Sequence, residues 1–194
     1  MGRGVGGGGS ALDSQHPSGL SRRGFARTLL GAAGLLALTP RRLRALTEPR
    51  RLAFVHLHTG ESLEIVYRDD AGYRADALAR LDVLLRDFRS EEVHPIDPAL
   101  FDLLFAVHAL AGSREPYRVI SGYRSAATNE MLRRHGDGVA AASLHVVGQA
   151  IDVRLPDVGT TRLRDAGLAH AGGGVGYYPA SDFVHLDTGR VRRW

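Results

Sequence analysis

Hydrophobic and polar positions along this chain keep changing period after residue 50, and each change marks an element. Residues 52–58 and 62–68 alternate and are joined through Thr59-Gly60-Glu61, so they read as a β-hairpin. Leu78, Leu81, Leu84, Leu85 and Phe88 then recur at helical spacing, which predicts an amphipathic helix over 76–89. Asp97-Pro98 is an N-cap followed by proline in the first turn, and Leu100, Leu103, Leu104 and Val107 extend that stripe toward Leu110. A short strand at 117–121, a helix at 125–134 and a glycine-bearing flexible loop at 135–142 follow. Residues 149–155 alternate as a strand. Residues 160–171 are helical and end at Gly172-Gly173-Gly174, and 175–178 and 182–187 read as closing strands. Two helices ahead of mostly short strands predict an α+β fold, a small antiparallel sheet with helices packed on one side.

The first fifty residues follow no such period. Residues 1–20 are rich in Gly and Ser and are expected to be disordered. Ser21-Arg22-Arg23-Gly24-Phe25-Ala26-Arg27 precedes an apolar stretch at 28–38, the physical signature of an export signal. The paired arginines followed by Phe resemble a twin-arginine signal, whose machinery exports folded proteins. A buried amphipathic helix is the alternative, and Gly31, Ala32, Ala33 and Gly34 make its side poorly suited to core packing. Leu43-Arg44-Ala45 is a weak cleavage point, so the segment is either removed or kept as an uncleaved membrane anchor. This reading divides the chain into a leader at 1–50 and a folded domain at 51–194 in the periplasm.

Composition narrows the classes. The 194 residues, 44% hydrophobic and 24% charged, fit one globular domain plus a leader. With no cysteine, disulfides, thiolate metal sites and cysteine nucleophiles are excluded. The net charge of +4 comes from the leader, where Arg3, Arg22, Arg23, Arg27, Arg41, Arg42, Arg44 and Arg50 face only Asp13 and Glu48. The remainder is slightly acidic, so the domain lacks the basic face of a nucleic-acid binder.

Three segments concentrate reactive side chains: 121–125, 143–152 and 182–187. His145, Asp152 and His185 would make a three-ligand N/O set that leaves a fourth position to water, as catalytic zinc requires. Asp152 lies between Ile151 and Val153, where a bare carboxylate is costly to bury and a cation offsets the cost. Taken singly each has a plainer reading: a histidine bonded locally, an aspartate paired with an arginine.

Together these segments resemble a known pattern. Ser-x-His-x-x-Gly-x-Ala-x-Asp at 143–152, followed by Val-His-x-Asp at 184–187, is similar to the LAS-type metallopeptidases, with the D-Ala-D-Ala carboxypeptidase/Hedgehog fold. His145 and Asp152, seven positions apart, match the family's first signature and His185 its later ligand histidine. The turn at 121–125, Gly-Gly-Val-Gly-Tyr-Tyr-Pro at 173–179 and Phe-Val-His-x-Asp-Thr-Gly at 183–189 resemble the YcbK-like murein endopeptidases. The resemblance covers 93–194 and implies a zinc peptidase, one Zn²⁺ per domain, acting on stem peptides or cross-links of peptidoglycan as endopeptidase or carboxypeptidase. A catalytically silent, metal-containing wall-binding module is the rival reading, and a metallo-amidase a third.

The base is open at this level. The family's carboxypeptidases carry a Glu three residues before the last ligand histidine, where Asp182 stands here, and other members a His where Phe183 stands. Period-2 alternation puts Phe183, His185 and Asp187 on one strand face, so Asp187 is either a second candidate base or a partner that orients a ligand histidine. Arg124 suits a substrate carboxylate or a developing oxyanion, or else a surface ion pair, and Ser143 a ligand or the substrate. His56 and His58 read as exposed strand positions. His135 and His170 read as solvated, and Trp194 with Arg190, Arg192 and Arg193 as a solvated terminus or a groove edge.

Overall fold

A computed structural model describes residues 48–135, 140 and 142–194. The tract expected to be disordered, the expected twin-arginine signal and its cleavage point lie outside the described residues, as does most of the loop expected at 135–142. No helix among the described residues is long and apolar enough to cross a membrane.

The hairpin forms as β1 (Arg50–His56) and β2 (Ser62–Asp69), and a short β3 (Gly72–Tyr73) adds to its edge. Helix α1 (Ala75–Leu84) is shorter than the stripe predicted, because the chain turns at Leu85 to give its carbonyl to Tyr123 N. Asp97 caps α2 (Pro98–Ala111) by accepting from Ala99 N at 2.9 Å. Then come β4 (Tyr117–Ser121), α3 (Ala126–Arg134), β5 (Ala150–Arg154), α4 (Thr160–His170), β6 (Gly174–Tyr178), β7 (Phe183–Asp187) and β8 (Arg192–Arg193).

All eight strands form one sheet in the order β3-β2-β1-β4-β5-β7-β6-β8. The α+β class holds, but the sheet is larger than expected and mixed. β1 pairs parallel with β4, since α1 and α2 lie in the crossover between them, and β6 pairs parallel with β8 after the chain has passed through β7. Alternation sends Val119, Ile151, Val153, Val184, Leu186 and Val175 into one core with Leu81, Leu100, Leu104 and Leu163 of the helices. Their neighbours Asp152 and His185 therefore project from the opposite face. Asp102 of α2 collects Arg50, Arg68, Tyr67 and Tyr73 at 2.6–2.8 Å, fastening the β1–β3 edge to the helical layer.

Candidate metal centre

The register of the sheet builds the site. Ser121 on β4 stands opposite Asp152 on β5, Asp152 opposite His185 on β7, and His185 opposite Gly176 on β6, making one row across four strands on the face away from the core. His145 enters above this row from a short 3-10 turn, Leu144–Val147. Gly148 ends that turn with φ +68°, and a side chain there would run into the Pro95 carbonyl.

The three side chains converge. His145 Nε2 lies 3.2 Å from His185 Nδ1 and 3.3 Å from Asp152 Oδ2, and His185 Nδ1 lies 2.8 Å from Asp152 Oδ1. The outer nitrogens fix what faces inward. His145 Nδ1 is 2.7 Å from the Gly122 carbonyl and His185 Nε2 is 3.0 Å from Asp187 Oδ2; both partners only accept, so both outer nitrogens carry hydrogen. Each ring thus turns its other nitrogen, His145 Nε2 and His185 Nδ1, toward the Asp152 carboxylate, an arrangement that a shared cation, proton or metal ion, satisfies. A tetrahedral ion about 2.0–2.1 Å from each donor would space the donors by about 3.3 Å, so the set fits such an ion.

Electrostatics carry the same mark. Burial lowers the His185 pKa, yet hydrogen bonds to Asp152 and Asp187 outweigh it and raise the group to about 9. Burial opposes ionisation of Asp152, but the two imidazoles hold its carboxyl below the usual range. Ionised carboxylates around an imidazole whose cationic form is favoured mark a place for positive charge.

Asp187 is enclosed. Its Oδ1 accepts from Gly174 N at 3.1 Å, Gly189 N at 2.9 Å and Arg192 Nη1 at 2.9 Å, and its Oδ2 from Arg192 Nη2 at 2.8 Å besides His185. With its lone pairs so occupied, Asp187 has the geometry of an orienting partner and not of a base. Asp182 is also displaced from that role: it caps the turn before β7 at φ +52° and pairs with Arg154 at 3.1 Å on the exposed surface.

A cavity of about 330 Å³ opens over the triad, lined among others by Arg124, Ser143, Tyr178, Phe183, Arg192 and Trp194. Asp152 is the only carboxylate on that wall among the described residues. Arg124 is buried, with Nη2 3.3 Å from Ser121 Oγ and 3.6 Å from Asp152 Oδ2 and with Nε unpartnered. Burial depresses its pKa and Asp152 partly restores it. Its turn is held by Asp87, which accepts from Ser125 N at 3.0 Å and Ser125 Oγ at 2.7 Å. Ser143 lies on the cavity wall and makes no capping hydrogen bond.

His56 differs from its sequence reading, while His58 is exposed as expected and Trp194 takes one of its two readings. His56 is fully buried: β1 stops there, and His56 Nδ1 accepts from His58 N and Thr59 N at 3.3 and 3.4 Å, closing the hairpin turn. His58 stacks on Phe88 with ring centres 4.0 Å apart. Trp194 is a groove edge, its ring centre 5.2 Å from that of His185. Sequence reasoning missed Arg192, Asp87 and Tyr178, since nothing in a linear pattern pairs Arg192 with Asp187 or Asp87 with Ser125.

The family described as Peptidase_M15_2, peptidoglycan L,D-endopeptidase MepK, matches residues 44–194. The peptidoglycan L,D-endopeptidase MepK of Escherichia coli (strain K12) is 46% identical over 146 residues, covering 75% of this chain and 80% of the relative. A probable peptidoglycan L,D-endopeptidase MepK of Haemophilus influenzae is 43% identical over 148 residues, covering 76% and 80%. Among solved structures, the Serratia marcescens L-Ala D-Glu endopeptidase ChiX aligns at 20% identity with a TM-score of 0.34, covering 49% of this chain and 68% of that one.

Proposed function

This chain belongs to the Peptidase_M15_2 family, and from that membership we propose a zinc-dependent endopeptidase that hydrolyses peptide cross-links of peptidoglycan outside the cytoplasmic membrane. The chain is a metallopeptidase of the cell-wall endopeptidase kind. The observation that carries the zinc reading is the convergence of three potential ligand atoms, His145 Nε2, His185 Nδ1 and an Asp152 carboxylate oxygen, all within 4.8 Å of one another. These are the residues that would hold the ion. Bound there, zinc supplies Lewis acidity that brings hydrolysis of an amide within reach of neutral pH.

The chain's other groups have separable tasks. Gly122 and Asp187 hold the outer N–H groups of the two imidazoles, so that the inward nitrogens are the ones turned to an ion. Arg192 in turn holds Asp187 with two hydrogen bonds. Arg124, on the cavity wall beside the row, aims its guanidinium at the scissile carbonyl, where oxygen gains charge as the carbon becomes tetrahedral. Ser143 offers a hydroxyl to the peptide backbone from the cavity wall.

Three protein donors under an open cavity favour catalysis over the silent wall-binding module, since structural zinc takes four protein ligands. The twin-arginine leader at 21–27 supplies the export route. The test is digestion of purified sacculi by the zinc-loaded domain, with products identified by mass. Separated stem peptides still attached to their sugars support an endopeptidase. Sugars freed from stems would make it an amidase, and unaltered sacculi would make it the silent module.

A further inference from the structure

Two residues of the cavity wall take no part in fixing the triad. Tyr178 on β6 and Trp194 beyond β8 stand on one side of His185, and Arg124 after β4 stands on the other, because the strand order is β4-β5-β7-β6-β8. The indole of Trp194 lies flat over Gly176, the residue opposite His185: a Cβ on Gly176 would sit 2.7 Å from Trp194 Cε2 and 2.9 Å from Nε1. From there Nε1 donates to the Tyr178 hydroxyl at 2.8 Å. The Tyr178 ring stacks on Phe183, ring centres 4.5 Å apart and 16° from parallel. The phenol is therefore held by its two aromatic neighbours at the wall of the cavity that holds the triad, and at 37% exposure it is open to a substrate there. Its oxygen accepts from the indole, and its own hydrogen has no partner among the described residues. That leaves a donor beside the triad, opposite Arg124.

We propose that the Tyr178 hydroxyl is a further catalytic residue, donating a hydrogen bond to the leaving nitrogen of the scissile amide, and that Trp194 is the positioning residue that aims it. The inference rests on the peptidase reading above. In an intact amide the nitrogen lone pair is delocalised and accepts no hydrogen bond. Once the carbon is tetrahedral the lone pair returns to nitrogen, and a donor fixed beside it interacts with the transition state alone. With the carbonyl oxygen turned to Arg124, the nitrogen side of the same group faces Tyr178. The proton stays on the phenol; no bond to the tyrosine oxygen is made or broken.

Steady-state kinetics on a soluble cross-linked muropeptide, with zinc content measured in parallel, tests this in Tyr178→Phe, Trp194→Phe and the double variant. Tyr178→Phe should lower kcat by about 100-fold, as loss of one oriented donor does, with KM within about twofold and zinc content unchanged. Trp194→Phe should lower kcat less, and the double variant should be no slower than Tyr178→Phe, because the indole acts through the phenol. A Tyr178→Phe enzyme with wild-type kcat, or one that changes KM alone, overturns the catalytic assignment. Losses that multiply in the double variant overturn the positioning role. A wild type that cuts the muropeptide while Tyr178→Phe keeps its rate defeats this inference alone. A wild type that cuts nothing defeats the peptidase reading and this one with it.

Discussion

His185 Nε2 stands 3.0 Å from Asp187 Oδ2, on the side of the ring away from the other two members of the triad. That contact occupies the outer nitrogen of His185 and leaves Nδ1 turned to the triad, and it gives Asp187 the geometry of an orienting partner and not of a base. Asp187→Asn, which can present an N–H to the ring, should weaken zinc binding by about 10- to 100-fold. Competition against a chromophoric chelator measures this. Excess zinc should restore most of the activity, which loss of a true base would not allow.

Trp194 is the only tryptophan of the chain and its ring lies 5.2 Å from that of His185. Loading the metal-free protein with zinc should change tryptophan emission in step with the appearance of activity, and chelation should reverse both. In His145→Ala, zinc at the same concentration should leave the emission unchanged.

Gly176→Ala would place a methyl group against the indole at 2.7–2.9 Å, and backbone pairing on both sides leaves the strand little room to yield. The indole should swing outward, shifting emission to the red and lowering kcat while zinc stays bound. Overpacking of this kind costs about 1–3 kcal/mol, which a urea melt would register.

Asp87 gives a pH dependence of known sign. Burial raises its carboxyl, but hydrogen bonds from Thr128, Ser125 and the Arg89 backbone outweigh that and hold it at about 2, against 3.8 ordinarily. A carboxyl depressed in the folded state adds stability above its unfolded pKa, and that stability is lost as pH falls from about 3.8 through about 2. Asp87→Asn should be about 1–3 kcal/mol less stable than wild type at pH 6 in urea melts, with the gap narrowing below pH 4.

Much of this was legible in the chain. The alternation at Ile151-Asp152-Val153 and at Val184-His185-Leu186 puts each polar residue on the face opposite the core, and register then sets Asp152 directly across from His185. The Asp97-Pro98 cap and the strand at 117–121 form where expected. What could not be read depends on contacts between distant segments. β8 is only two residues long and exists because β6 offers it an edge, so neither Trp194 over Gly176 nor Arg192 on Asp187 has a local signal. α1 ends early because Leu85 turns to meet Tyr123, a partner far along the chain. His56 followed the strand's alternation on paper, yet the strand stops there and the ring is spent on closing the turn.

The central claim is that one cation is gripped by His145 through Nε2, by His185 through Nδ1 and by Asp152. Anomalous diffraction at the zinc edge from crystals of the zinc-loaded domain tests it most directly. A single peak should lie about 2.0–2.1 Å from those two nitrogens and from an Asp152 oxygen, with Asp187 still bonded to His185 Nε2. A peak on the Nε2 side of His185, or none at this row in protein that nonetheless hydrolyses peptidoglycan, would contradict it.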